Sequence, residues 1–173
     1  MPEISPNLHP LLVHFPIALL SVSALFHLIA RAVQGRPRFA APCAILAHAA
    51  LWLAALAALP TVLFGWQAFN SVNHDDAGHA AMLTHRAWAL ATLVILSAVA
   101  GWDAWRNKVE TTPTRTLTAA VLAVWVMVSI TAWYGGELVY RHGLGVMSLP
   151  SVEEDAHGHG TSSETHEHAG HTH

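Results

Sequence analysis

Two histidines at the mouth of a long apolar run, and four more that fall outside the apolar runs, are the side chains here with chemistry to offer. His9 and His14 sit in Leu8-His9-Pro10-Leu11-Leu12-Val13-His14-Phe15-Pro16, and His74, His79, His85 and His142 follow at later breaks in the pattern. An imidazole can ligate a metal, carry a proton or simply bond a carbonyl. A b-type haem needs two of them from opposite faces, each ligating nitrogen about 2 Å from the iron. Their backbones then belong to different helices, since helix axes in contact stand about 8–10 Å apart. His14 with His85 is the preferred axial pair, leaving His9 and His142 for a second haem or for the propionates of the first, which Arg86 and Arg141 also suit. A copper or zinc ion would instead gather three or four nitrogens from His9, His14, His79, His85 and His142. The third reading is structural or pH-sensing, with these imidazoles bonded to carbonyls and to Asp75, Asp76 or Glu137. His9 and His14 lie well over a quarter turn apart on an ideal helix, so they do not share one iron.

Such side chains meet only if long helices carry them to one layer. The chain is 53% hydrophobic and 11% charged, too apolar for an ordinary soluble domain. No charged residue occurs from Ile4 to Ala30, Phe39 to His74, Ala87 to Trp102 or Thr116 to Gly136, and about 20 mostly apolar residues cross a bilayer. The expectation is an all-α, polytopic membrane protein: a four-transmembrane-helix bundle over 1–147. Its spans run from about Leu11 to Val33, Ala40 to Phe64, near Ala80 to Trp102, and Thr116 to Leu138. A soluble bundle would need a polar stripe on each helix, and Ala44 to Phe69 has none.

Charge gives the orientation. Arg31, Arg36, Arg38, Arg106, Lys108 and Arg115 are six of the eight Lys and Arg, and they fall between the first and second or the third and fourth spans. The positive-inside rule makes those loops cytoplasmic and both termini periplasmic, in a bacterial inner membrane. Asp103 is expected at the inner interface and Asp75 or Asp76 as the cap of the third helix. The start lacks the basic segment and cleavage pattern of a removable signal peptide. Cys43 is the one cysteine, which excludes internal disulfides and covalent haem attachment through C-x-x-C-H.

Within the spans, His27 and His48 fall at similar depth near the inner side. The prosaic reading of each is a neutral imidazole bonded to a carbonyl or a serine; a second, inner haem is the alternative. Pro60 should kink the second span, because its ring excludes the carbonyl of Leu56. Gly135-Gly136 permits close approach of a neighbour, and Glu137 with Arg141 can pair one turn apart. Residues 148–173 form an acidic, histidine-rich segment expected to be disordered and periplasmic. There His157, His159, His166, His168, His171 and His173 would hold Zn²⁺, Cu²⁺ or Ni²⁺ loosely.

The segments LHPLLVHFPIALL (Leu8 to Leu20) and GGELVYRHGLGV (Gly135 to Val146) resemble a widespread bacterial four-span membrane family of unknown function. The resemblance covers roughly Ile4 to Met147. It implies that the histidines of HP-x-x-VHFP, His85 and His142 of YRHG belong to the family pattern. Fusion of some members to cytochrome c or Rieske-like modules implies a place near electron transfer, and implies no established activity.

The expected function is an inner-membrane, haem b-binding electron-transfer protein with its site near the periplasmic face. A quinone and a periplasmic cytochrome are candidate partners, besides membrane lipid. The rivals are a periplasm-facing copper- or zinc-binding membrane protein without haem, and a non-catalytic membrane anchor for a partner subunit. No catalytic acid, base or nucleophile is assigned, so enzymatic activity is left open, as is a homo-oligomer. Nothing suggests nucleic acid.

Overall fold

A computed structural model describes residues 8–72 and 75–144. His74 and the segment 148–173, including its six histidines, lie outside the described residues. The chain forms α1 (His9–Leu12), α2 (His14–Ala32), α3 (Pro37–Ser71), α4 (Asp76–Arg106) and α5 (Arg115–Tyr140). Residues His9–Ala32 make one span of α1 and α2 together, and four helices in all are long and apolar enough to cross a membrane. Large apolar side chains point outward around the bundle: Leu63 is 70% exposed, Val94 67% and Trp133 74%. In water these would be a liability; in lipid they are solvated.

The helices start earlier or end later than their apolar cores because caps and turns decide where a helix stops. Asp75 accepts from the Gly78 N–H at 2.7 Å and starts α4 one turn before Ala80, as an N-cap carboxylate does. Thr114 does the same for α5 through Leu117 N–H at 3.2 Å. α3 runs without a break through Pro42 and Pro60 to Ser71. At the other end of the chain α5 closes with the Gly143 and Leu144 amides bonded to Val139 and Leu138 carbonyls. Gly143 takes a φ of 59° there, the left-handed conformation that closes a helix of this kind.

The helices pack as a ring: α2 on α3, α3 on α4, α4 on α5, and α5 back on α2. α2 and α4 are therefore diagonal. The turns 33–36 and 107–114 share one end, called here the basic end because Arg36, Lys108 and their neighbours cluster there; His9 and the start of α4 mark the far end. The core between them is Leu20, Ala24, Leu51, Ala54, Leu96, Ala100, Leu117, Val121 and Val124.

The buried positions recur. His9, Pro16, Leu20, Ala24 and His27 on the first span stand at one constant interval from His85, Thr92, Leu96, Ala100 and Asp103 on α4. Ala47, His48, Leu51, Ala54, Ala58, Thr61 and Gly65 on α3 stand at another from Leu117, Thr118, Val121, Val124, Val128, Thr131 and Gly135 on α5. The bundle is thus two helical hairpins whose inward-facing positions recur at matching spacing, the pattern of an internal repeat.

Candidate functional site

The far end is shaped by a proline and the carbonyl it leaves without a partner. Pro16 has no N–H, so the carbonyl of Leu12 lacks its usual helical donor. Thr61 supplies one: its hydroxyl hydrogen is shared between Ala57 O at 2.8 Å and Leu12 O at 3.3 Å. The first span is thereby tied to α3, and His9 is brought to the same turn. His9 Nδ1–H donates to the Thr61 carbonyl at 2.9 Å. Its ring lies flat enough on α3 that a Cβ at Gly65 would stand 3.0 Å from His9 Cε1 and Nδ1. Any larger residue there would require the ring to shift by a few tenths of an ångström.

The second hairpin repeats this. His85 Nδ1–H donates to the Thr131 carbonyl at 3.1 Å, the Thr131 hydroxyl bonds back to Met127 O at 2.9 Å, and a Cβ at Gly135 would come within 3.2 Å of His85 Cε1. The close approach expected of Gly135 thus serves an imidazole. Each half presents a histidine clamped on a threonine carbonyl and pressed on a glycine one turn later. The two rings meet edge to face across the bundle, with centroids 6.3 Å apart and planes at 74°. With Nδ1–H committed to a carbonyl, the neutral ring carries its lone pair on Nε2, the arrangement in which a histidine is oriented for a metal.

The remaining sequence candidates fall elsewhere. His14, expected opposite His85, is exposed, and its Nδ1 faces the Leu11 carbonyl of its own helix at 3.4 Å; His9 is the histidine that meets His85. His79 is exposed beside Phe69, ring centroids 5.7 Å apart. His142 is half-buried in the turn after α5. Arg86 lies over Trp66, 4.2 Å from the ring centre, and over Phe69 at 5.2 Å. Arg141 pairs with Glu137 at 3.0 Å, as its spacing predicts. Among the described residues no three His, Cys, Asp or Glu side chains come together to hold one ion.

The basic end holds a second cluster. His27, His48 and Asp103 are each 0% exposed. Asp103, expected at the inner interface, lies in the last turn of α4 with its side chain turned into the bundle, accepting from His48 Nδ1–H at 2.8 Å, Trp52 Nε1–H at 3.0 Å and Asn107 Nδ2–H at 3.0 Å. A buried carboxylate is tolerable on those terms, with donors for both oxygens. His48 also gives its Nε2–H to the Thr111 carbonyl at 3.0 Å. Both nitrogens of His48 are therefore engaged, which leaves an inner haem between His27 and His48 without a second ligand. His27 follows the prosaic reading on one side, with Nδ1–H to Ser23 O at 2.8 Å. Its Nε2 is fully buried and has no hydrogen-bond partner.

A family model described as a predicted membrane protein (DUF2231) matches residues 5–148, and the chain belongs to that family. A search of curated proteins and a search of solved structures each found no match.

Proposed function

We propose that the far-end pair, His9 and His85, supplies the axial ligands of a b-type haem, and that the protein passes single electrons at that end of the membrane. The observation that carries the reading is the mutual placement of the two rings. A metal held about 2 Å from one nitrogen of each of two opposed imidazoles sets the ring centres about 6 Å apart, and they stand 6.3 Å apart. Each ring is already fixed by a carbonyl and a glycine, so binding orders nothing further. Two ligands on diagonal helices suit a macrocycle, which completes the coordination itself; a zinc or copper centre built wholly from protein needs the third and fourth donors that are not assembled among the described residues. When bound, haem supplies a one-electron couple whose potential depends on burial and on the hydrogen bonds of its ligands. Here those bonds are the ones from Nδ1 to Thr61 and Thr131.

The six basic residues at the opposite end support a cytoplasmic position for that end, and so a periplasmic position for the haem in a bacterial inner membrane. A lipid quinone and a periplasmic cytochrome are the partners this reading proposes.

A reduced-minus-oxidised spectrum with a pyridine haemochrome assay on the purified full-length protein tests this. His9→Ala and His85→Ala should each abolish the b-type bands while His14→Ala keeps them. A flat spectrum from haem-replete cells, with elemental analysis showing copper or zinc instead, would overturn it.

A further inference from the structure

The two hairpins keep the same residues at the far end, histidine, threonine and glycine, and differ at the basic end. There the position of His27 is held by Asp103 in the second hairpin, and that of His48 by Thr118. The difference places one carboxylate beside two imidazoles in a buried layer. His27 and His48 approach edge to face, ring centroids 5.7 Å apart, and His48 bonds Asp103 directly. An ionisable group in a membrane span is costly and marks proton or ion paths when it persists.

The hydrogen bonds say how many protons this layer holds. Both partners of His48, the Asp103 carboxylate and the Thr111 carbonyl, are acceptors, so both ring nitrogens carry hydrogen and the ring is an imidazolium balanced by Asp103. His27 donates through Nδ1 and is left with a lone pair on Nε2, buried and unpartnered. A buried lone pair with nothing to accept from forfeits the hydrogen bonds it would make in water. We infer that the cluster is a proton-binding site in which His48 and His27 share one exchangeable proton against the single charge of Asp103.

The charge balance is simple. With the proton present the layer is neutral, one imidazolium and one carboxylate; with it gone the layer carries one negative charge, and no electron or other group moves. When the proton sits on His27, His48 Nε2 has no hydrogen and releases the Thr111 carbonyl. Thr111 is exposed in the 107–114 turn, so exchange with water runs through His48 at the basic end. The groups facing the layer are few. The first span brings His27 and, one turn on, Arg31, whose Nη1 is turned to the Pro113 carbonyl at 3.4 Å; α3 brings His48 and α4 Asp103. The buried face of α5 offers Thr118 and otherwise aliphatic residues, while Lys108 and Glu110 of the turn are exposed.

The inference is independent of the far-end pair. Its test is ¹⁵N NMR of imidazole nitrogens in the full-length protein in lipid nanodiscs, followed from about pH 5 to about pH 9, with His27→Gln and His48→Gln for assignment. With one proton shared, both rings should change together in a single common step whose imidazolium signal, summed over the pair, amounts to one ring, and Asp103→Asn should abolish the step while circular dichroism stays helical. Two neutral, unchanging signals across the range, or two separate steps, would overturn it. Should a variant misfold, the wild-type titration decides, with the two rings told apart by their contacts, His48 to Asp103 and His27 to Ser23.

Discussion

His9 and His85 come from diagonal spans and face each other with ring centroids 6.3 Å apart, each anchored by Nδ1 to the carbonyl of a threonine one turn before a glycine. The clamp explains why the rings are fixed, and it makes the glycines the sharpest test of the site.

Gly65→Ala and Gly135→Ala would each bring a methyl into a histidine ring, at 3.0 Å and 3.2 Å. Overpacking of this kind costs about 1–3 kcal/mol, and the displaced ring should lower haem content. Gly101→Ala, where nothing lies within 4 Å, should be neutral or gain up to about 1 kcal/mol from helix propensity. Thermal unfolding in detergent alongside the Soret band reads both effects.

The link between Pro16 and Thr61 should appear as an energetic coupling. Thr61→Val leaves Leu12 O without its donor and should cost about 1 kcal/mol. In a Pro16→Ala background the helix supplies its own N–H to that carbonyl, so the same change should cost less. A double-mutant cycle measured by reversible unfolding gives the coupling, and additivity of the two changes would show that the bond contributes nothing.

Removing the buried carboxylate should be the most damaging single change at the basic end. Asp103→Ala strands donors on His48, Trp52 and Asn107 and uncovers the charge on His48, an imbalance that costs about 3–5 kcal/mol. Asp103→Asn keeps an acceptor and should cost less. The order of the two in an unfolding assay checks the assignment.

Arg86 should matter for stability and little for the haem ligands. Its guanidinium lies 4.2 Å from the Trp66 ring centre, a contact that contributes about 0.5–1 kcal/mol at a partly exposed site. Arg86→Ala should lower the unfolding free energy by about that amount and alter tryptophan emission. Haem content should be unchanged; its loss would mean that the arginine reaches the propionates as the sequence suggested.

Much of the architecture was legible in the chain. Four uncharged runs long enough to span a bilayer give four helices without reference to packing, and Asp75 and the Glu137–Arg141 spacing gave a cap and an ion pair through rules that act within one turn. The partners of Asp103 were not legible. A carboxylate at the end of an apolar run reads as an interface anchor until three donors from two other segments, His48, Trp52 and Asn107, are seen around it. Nor was the internal repeat, since the hairpins share few identities beyond His9 and His85, Leu20 and Leu96, Ser21 and Ser97, Ala24 and Ala100, Thr61 and Thr131, and Gly65 and Gly135. Burial, rather than identity, exposes it.

What the amino-acid order determined by itself is what hydropathy and local geometry can decide: membrane class, span number, helix ends, and a layer of imidazoles at the far end. Which imidazoles face one another was settled by tertiary structure alone. His14 is the better-looking ligand on its own helix, with Pro16 beside it. Yet Pro16 leaves a carbonyl that Thr61 fills from α3, and that contact turns His9, not His14, inward to meet His85. Such a choice depends on hydrogen bonds between residues some fifty positions apart, and no pattern within a single helix encodes it.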